Sequence, residues 1–405
     1  MDVSLVQGIE KIFVHAGFGD EEMKKILLIT PDFPPSKGGI QSLLWDVASN
    51  VKCFHITVIT PHRCGDARFD GEVDIRIIRT HRNRMVFLMQ SLLYAFFLVP
   101  DIVVCGHVVT APVGLFLKWL FNKPYVVYTY ALEVMMKRRE NIYSFFLKSA
   151  EKVISISNFT RERLLSLGIE KSRIEVIPPP VDTGRFNPNV DIESPRAKLG
   201  LVGKKVLLTV ARMDSDERYK GHDCVINVLP DVLGRCPQTV YLIVGGGDDK
   251  GRLRELAGDR GVGESVIFLG NVPYGELPAY YCLCDVFVMP SREIHTVNGV
   301  RAEGFGIVFL EAGASGKPVI GGRSGGIPDA VVDGVTGILV DPKDPLKLRD
   351  AMVFLLGNDD LRKRMGDNAR KRIEENFTTR KVVKRTEGVF SSVVSHLKPR
   401  RHEEH

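Results

Sequence analysis

The sequence predicts an α/β protein made of two Rossmann-like, doubly wound parallel sheets. Three observations carry this. The chain has 405 residues, more than one ordinary hydrophobic core organises. Short apolar runs alternate with longer mixed segments along most of it, as expected for strands covered on both faces by helices. Near the middle the alternation stops at Pro178-Pro179-Pro180, which neither a helix nor a central strand accommodates, and then resumes.

The elements follow in order. Residues 26–30 form a continuous apolar run and a first strand. A loop from Asp32 to Gln41 carries Lys37-Gly38-Gly39, and residues 42–50 read as a helix. Strands are expected at 56–60, 75–79, 101–105, 125–129 and 153–157. Asn158–Gly168 reads as a capped helix ending in glycine. Residues 174–182 read as the inter-domain connection. The pattern restarts at Lys205 and gives strands at 240–244, 266–269, 286–289, 318–320 and 337–340. Beyond Asp344 the chain is helical and charged, and Lys398–His405 reads as a disordered tail. The expected division is an extension at 1–22, a first domain at 23–180, a second at 181–375, and a closing segment at 376–405 whose helix crosses back to the first domain.

Composition narrows the function. With 55 basic and 49 acidic residues the formal charge is +6. That balance suits an anionic substrate or membrane surface and is too weak to argue for nucleic acid. The seven cysteines, with no C-x-x-C spacing, read as reduced thiols of a cytosolic protein. Residues 1–22 lack the basic and apolar runs of a secretory signal.

Several segments carry chemistry. Gly38-Gly39 before a helix lets backbone N–H groups approach phosphate. It is neither a dinucleotide fingerprint nor a Walker loop, which disfavours a dehydrogenase. Ala211-Arg212 to Lys220-Gly221 leaves the end of a second-domain strand, where open α/β sheets bind ligands. Arg212 and Lys220 suit a diphosphate, Arg bidentately and Lys as a point charge. Asp214-Ser-Asp216 matches the D-x-D pattern of some metal-holding transferases, but so short a match occurs often by chance, and no metal is expected. Gly245-Gly246-Gly247 and Phe268-Leu-Gly-Asn-Val272 end further strands. Glu303-Gly304-Phe305-Gly306-Ile307 through Glu311 places two carboxylates about an open helix start. That helix end suits phosphate, and the carboxylates suit sugar hydroxyls.

These residues, together with Gly325-Gly-Ile-Pro328, Pro34-Pro35 and Gly38-Gly-Ile-Gln41, resemble the family 4 retaining glycosyltransferases over roughly residues 23 to 390. Gly-Gly-Ile-Gln with Asn298-Gly-Val-Arg-Ala-Glu-Gly-Phe-Gly306 is similar to the phosphatidylinositol mannoside mannosyltransferases in particular. The resemblance implies the GT-B fold, two Rossmann-like domains facing a central cleft. It implies transfer of a hexose, mannose favoured, from a nucleotide sugar such as GDP-mannose to a lipid or glycan acceptor, with no essential divalent metal and no other cofactor. Glu303 would contact the transferred sugar and Glu311 the ribose. Arg212 and Lys220 would hold the diphosphate with Gly38, Gly39 and the N–H groups near Phe305 to Ile307. Gln41 and Gly246 join the substrate-binding set, and backbone near Val272 would receive the base. Where many members carry His-Gly-His-Glu after a first-domain strand, this chain reads Tyr130-Ala-Leu-Glu133. His107 is the candidate substrate-binding histidine on that side.

Residues 85–99 are apolar, shorter than the ~20 that span a bilayer. With Arg79, Arg82 and Arg84 before them they read either as a buried helix or as a contact with anionic lipid at the inner membrane face. Two other function classes stand beside the transferase: a nucleotide-sugar epimerase on the same architecture, and a sugar-nucleotide-binding protein without turnover.

Overall fold

The computed structural model describes residues 23–36, 38–136 and 140–395. The expected extension at 1–22, Lys37 and the tail from Lys398 lie outside the described residues.

Two parallel sheets form the frame. The first holds β1 (Lys25–Ile29), β2 (His55–Pro61), β3 (Arg76–Thr80), β4 (Ile102–Cys105), β5 (Tyr125–Thr129), β6 (Lys152–Ser155) and β7 (Ile174–Val176). Its order is β3-β2-β1-β4-β5-β6-β7, parallel throughout. The second domain contributes β8 (Lys205–Val210), β9 (Thr239–Val244), β10 (Val266–Gly270), β11 (Val286–Met289), β12 (Ile294–Thr296), β13 (Gly299–Arg301), β14 (Val319–Gly322) and β15 (Gly337–Val340). Its six-stranded sheet runs β10-β9-β8-β11-β14-β15, and β12 with β13 forms a separate hairpin. The central strands are apolar on both faces because helices cover both: Ile102, Val103, Tyr125 and Val126 are fully enclosed, as are Leu207, Leu208, Val286 and Phe287.

Strand order reverses between β1 and β4 in one sheet and between β8 and β11 in the other. Ligands of such sheets lie off the carboxyl ends of the strands at these reversals. The loops that leave them are 30–38 after β1 and 211–214 after β8.

Two features differ from the sequence expectation. Residues 174–176 are a strand, β7, at the edge of the first sheet, so the connection begins at Ile177; three residues running straight into prolines show no strand pattern. The β12–β13 hairpin was not anticipated either.

The chain crosses between domains twice, and the crossings touch. The Val181 N–H donates to the Phe377 carbonyl at 2.9 Å. Past that point the helix Thr379–Ser395 packs on the first domain. Phe390 meets Phe54 edge-on at 6.1 Å, and Glu387 accepts the Lys52 N–H at 3.0 Å.

Candidate active site

The first domain supplies a helix N-terminus. Helix Gly39–Asn50 begins directly after Gly38, whose φ of 158° disfavours a side chain and whose nearest neighbour is the Gln41 side-chain amide. Gln41 Nε2 donates to Asp32 Oδ1 at 3.1 Å, bracing the loop. Burial raises the Asp32 carboxyl above its usual range, with Arg63 opposing. A Cβ on Gly39 would lie 4.0 Å from Ile307 Cγ2. The glycine loop therefore faces, across the cleft, the start of helix Ile307–Ala314 in the second domain.

That second helix is set up by its own glycines. Gly306 caps it with φ 88°, and a Cβ there would reach 2.6 Å from Phe309. Gly304 lies under Ala131 and Ile156 of the first domain, 3.3 and 3.2 Å from a notional Cβ. Phe305 is buried against Phe377. The Glu303 carbonyl accepts the Gly326 N–H at 2.8 Å, so Gly325-Gly326 buttress the Glu303 loop from behind.

The charged centre joins Lys220 and Glu303, 83 residues apart. Lys220 Nζ lies 3.0 Å from Glu303 Oε2 and 3.9 Å from Glu217 Oε2. Enclosure works against the Lys220 charge, yet the carboxylates beside it, Glu303 foremost, hold the ammonium protonated well above its usual range. Arg212, much more exposed, pairs with Glu217 and sits 3.6 Å from Asp214.

Beneath Arg212 the glycine triplet has a structural task. Side chains at Gly245 and Gly247 would collide with the Ala211 and Met213 backbone. The Gly246 carbonyl accepts the Met213 N–H at 2.7 Å, and a Cβ on Gly246 would lie 2.8 Å from Asn271 Oδ1. Gly246, expected to meet ligand, seats the Arg212 loop through its carbonyl.

Glu311 lies deeper. It is buried, and Tyr281 donates its hydroxyl to Oε2 at 2.6 Å. Burial pushes the carboxyl up to about 7, against the Tyr281 hydrogen bond and Arg185. Arg185 stacks over the Tyr274 ring at 4.7 Å, two residues beyond Val272. Val272 is half-buried at the start of the loop after β10. Sequence reasoning missed Tyr274, Tyr281, Arg185 and Glu217, which belong to no motif.

His107 does not join Lys220 and Glu303. Its Nδ1 accepts the Val109 N–H at 3.1 Å, capping a short turn, and its ring lies 6.1 Å from Tyr130. Burial, with Arg84 nearby, lowers it to about 4, so it is neutral at pH 7 with Nε2–H as its donor. Glu133 is buried and braces the same loop by accepting the Tyr130 N–H. Burial raises it to about 7.

A cavity of about 620 Å³ adjoins Arg212 and Glu217. Leu132 and Met136 wall it from the first domain, and Val300 and Arg301 of the hairpin close it from the second. Asp214 and Asp216 also border it but face different arginines, Arg212 and Arg301. Among the described residues no group of three or more His, Cys, Asp or Glu converges as a metal site would.

Comparison with known proteins gives this geometry its family. Residues 191–372 match the model of glycosyl transferases group 1, and residues 38–185 match that of glycosyltransferase family 4. A GDP-mannose-dependent alpha-(1-6)-phosphatidylinositol monomannoside mannosyltransferase of Mycolicibacterium smegmatis is 34% identical over 346 residues, 82% of this chain and 89% of that protein. A GDP-mannose-dependent monoacylated alpha-(1-6)-phosphatidylinositol monomannoside mannosyltransferase of Corynebacterium glutamicum is 30% identical over 372 residues, covering 88% and 94%. In fold, the chain resembles HepE of Anabaena, solved with UDP and glucose, with a TM-score of 0.79 at 20% identity over 91% of this chain and 100% of that one. Sucrose-phosphate synthase of Thermosynechococcus elongatus gives 0.79 at 22% identity over 92% and 99%. The two facing parallel-sheet domains are thus the GT-B arrangement, and the chain belongs to the glycosyltransferases of group 1 and family 4.

Proposed function

We propose that the protein is a retaining mannosyltransferase that moves mannose from GDP-mannose to a phosphoinositide-type lipid acceptor. The observation that carries this is the Lys220–Glu303 pair, with Arg212 beside it, at the strand-order reversal of the second sheet. GDP and mannose are favoured because relatives at 30–34% identity over most of the chain bear that name.

The charges suit departure of a diphosphate. Lys220 and Arg212 meet its growing negative charge, and the N-termini of helices Gly39–Asn50 and Ile307–Ala314 add N–H donors from either side. Glu303 stands next to Lys220, where the sugar attached to that diphosphate would lie. Bound to an ammonium, Glu303 is a weak nucleophile. This favours a reaction in which the acceptor oxygen enters on the face the phosphate leaves, with a phosphate oxygen taking its proton and the anomeric configuration kept. No step in this scheme requires a divalent metal. Closure of the domains about the connection at 178–180 excludes water from the oxocarbenium-like transition state.

The lipid part of the proposal rests on the first domain. Helices Arg84–Leu98, Ala111–Phe121 and Glu140–Ser149 pack side by side. Met85, Met89, Phe96 and Phe97 project from the first, Trp119 at 82% exposure from the second, and Phe145 from the third. Arg82 and Arg84 are exposed at the margin. An apolar face with a basic edge suits an anionic membrane surface. The helix Arg84–Leu98 is thus buried on one face, through Phe87, Ser91, Tyr94 and Ala95, and open on the other. Arg79 is withdrawn from the lipid set, since it is enclosed, pairing with Asp70 at 2.6 Å and donating to the Pro34 carbonyl. Among the described residues no helix is long and apolar enough to cross a membrane, so the contact we propose is peripheral, at the inner face.

A thermal-shift panel of nucleotide sugars, followed by NMR of the product formed with phosphoinositide vesicles, tests this. Stabilisation by GDP-mannose and an α-linked product are expected. A β-linked product removes retention; free mannose epimers without transfer favour the epimerase; tight donor binding without turnover favours the binding protein.

A further inference from the structure

Glu217 stands between the two cations assigned to the diphosphate. One oxygen, Oε1, pairs with Arg212, and the other, Oε2, lies 3.9 Å from Lys220 Nζ. Oε2 is buried and accepts no hydrogen bond among the described residues. The Glu217 side chain is 14% exposed, whereas that of Arg212 is 69% exposed. The guanidinium is therefore the solvent-facing partner and the carboxylate the enclosed one. Glu217 sits in the turn Ser215–Lys220, where its own φ/ψ depart from helical values and its N–H donates to the Asp214 carbonyl at 2.8 Å.

A carboxylate enclosed beside two cations, with an acceptor oxygen left unfilled, resembles the ligand those cations would bind. We infer that Glu217 is a built-in counter-anion for the diphosphate site. In the empty site it neutralises Arg212 and shares Lys220 with Glu303. When a nucleoside diphosphate enters, Arg212 exchanges Glu217 for phosphate oxygens, and the Glu217 charge then opposes the bound anion. Glu217 is thus a positioning residue that weakens hold on the diphosphate and speeds its release after transfer. No bond to substrate is required of it. The inference rests on the proposed diphosphate site and adds a residue that limits its affinity.

The test is calorimetric titration of GDP into the full-length parent, Glu217→Gln and Glu217→Asp, with steady-state turnover of GDP-mannose alongside. Glu217→Gln keeps the shape and removes the charge. It is expected to bind GDP about tenfold tighter, since one like charge within a few ångströms of the diphosphate is gone. The GDP-mannose KM should fall in step, and kcat should fall where GDP release limits turnover. Glu217→Asp keeps the charge and should bind GDP like the parent. Glu217→Gln in an Arg212→Ala background should gain less, because the competition for Arg212 no longer exists. Thermal melting of each variant establishes that it is folded. GDP affinity that is unchanged or weaker in folded Glu217→Gln overturns the inference and leaves the transferase proposal standing. If the folded parent binds none of GDP, UDP or ADP, the diphosphate site itself is wrong and the inference falls with it.

Discussion

Lys220→Ala probes the charged centre most directly. The ammonium lies 3.0 Å from Glu303 and 3.9 Å from Glu217, and its side chain is only 14% exposed. Two losses follow from that position. The diphosphate loses one charge-assisted contact, about 1.5–3 kcal/mol, which is roughly a 10- to 150-fold loss of affinity at about 1.4 kcal/mol per decade. The folded protein loses the only described ammonium within ion-pair reach of both Glu303 and Glu217. Two half-enclosed carboxylates left facing each other should lower stability by about 1–3 kcal/mol, or several degrees in Tm. The two effects separate by ligand. GDP should stabilise the variant far less than the parent at equal concentration, because stabilisation follows the ratio of ligand to Kd. Calorimetry with GDP and kinetics with GDP-mannose give the numbers, and kcat should fall as well as affinity, since the leaving charge is largest in the transition state. A folded Lys220→Ala protein that binds GDP as tightly as the parent would refute the placement of the diphosphate.

Three further outcomes are expected. Glu303→Ala should reduce kcat by orders of magnitude while GDP affinity changes little, because we place its carboxylate at the sugar; equal turnover in calibrated assays counts against it. Asp329→Ala removes two of the hydrogen bonds between the domains, at 2.6 Å to the Asn158 N–H and 2.9 Å to Asn158 Nδ2; small-angle scattering should show a more open particle, and an unchanged profile with unchanged KM refutes a latch at this contact. Trp119→Glu on the exposed apolar face should abolish co-sedimentation with anionic vesicles at low salt without altering GDP binding; undiminished sedimentation moves the membrane contact elsewhere.

The sheets were legible because strands such as Lys25–Ile29, Ile102–Cys105 and Lys205–Val210 carry short runs of Val, Ile and Leu, a consequence of burial on both faces. Ile174–Val176 was not, since a three-residue edge strand leading into prolines shows no periodicity. The hairpin was hidden because its strands are only three residues each and its two turn residues, Val297-Asn298, are not a favoured hairpin dipeptide. In the site, Lys220, Glu303, Gly38, Gly39 and Gly306 stood out through motif spacing, and the structure brings them to one cleft. The triplet Gly245–Gly247 has a second task that its sequence does not reveal: glycine runs look alike whether they make room for a ligand or for the protein's own backbone. Glu217 was hidden, because a carboxylate in a charged loop looks solvated until the fold encloses it. Arg79 was misplaced for the converse reason, its pairing with Asp70 depending on how a strand meets the short helix Asp66–Gly71 before it.

If Glu311 meets the ribose, as we propose, it joins nucleotide binding to pH. Burial raises its carboxyl from 4.5 to about 7, so the folded state holds a proton that the unfolded chain has released. Its contribution to stability is therefore full below about 4.5 and declines as pH rises toward 7. Ribose hydroxyls prefer the ionised form, which accepts through both oxygens. Nucleotide binding and ionisation then favour each other, and affinity for GDP should rise between pH 6 and 8 as stability contributed by this group falls. Glu311→Gln holds the Tyr281 hydrogen bond through its amide oxygen and cannot titrate. It should flatten the rise in affinity and show a relative gain in Tm at pH 8 over pH 5 compared with the parent. GDP titrations across that range, with melting curves at each pH, read both. If parent and variant share the same pH profile in affinity and in Tm, Glu311 is not the group that links nucleotide binding to protons, and its buried contact with Tyr281 is structural alone.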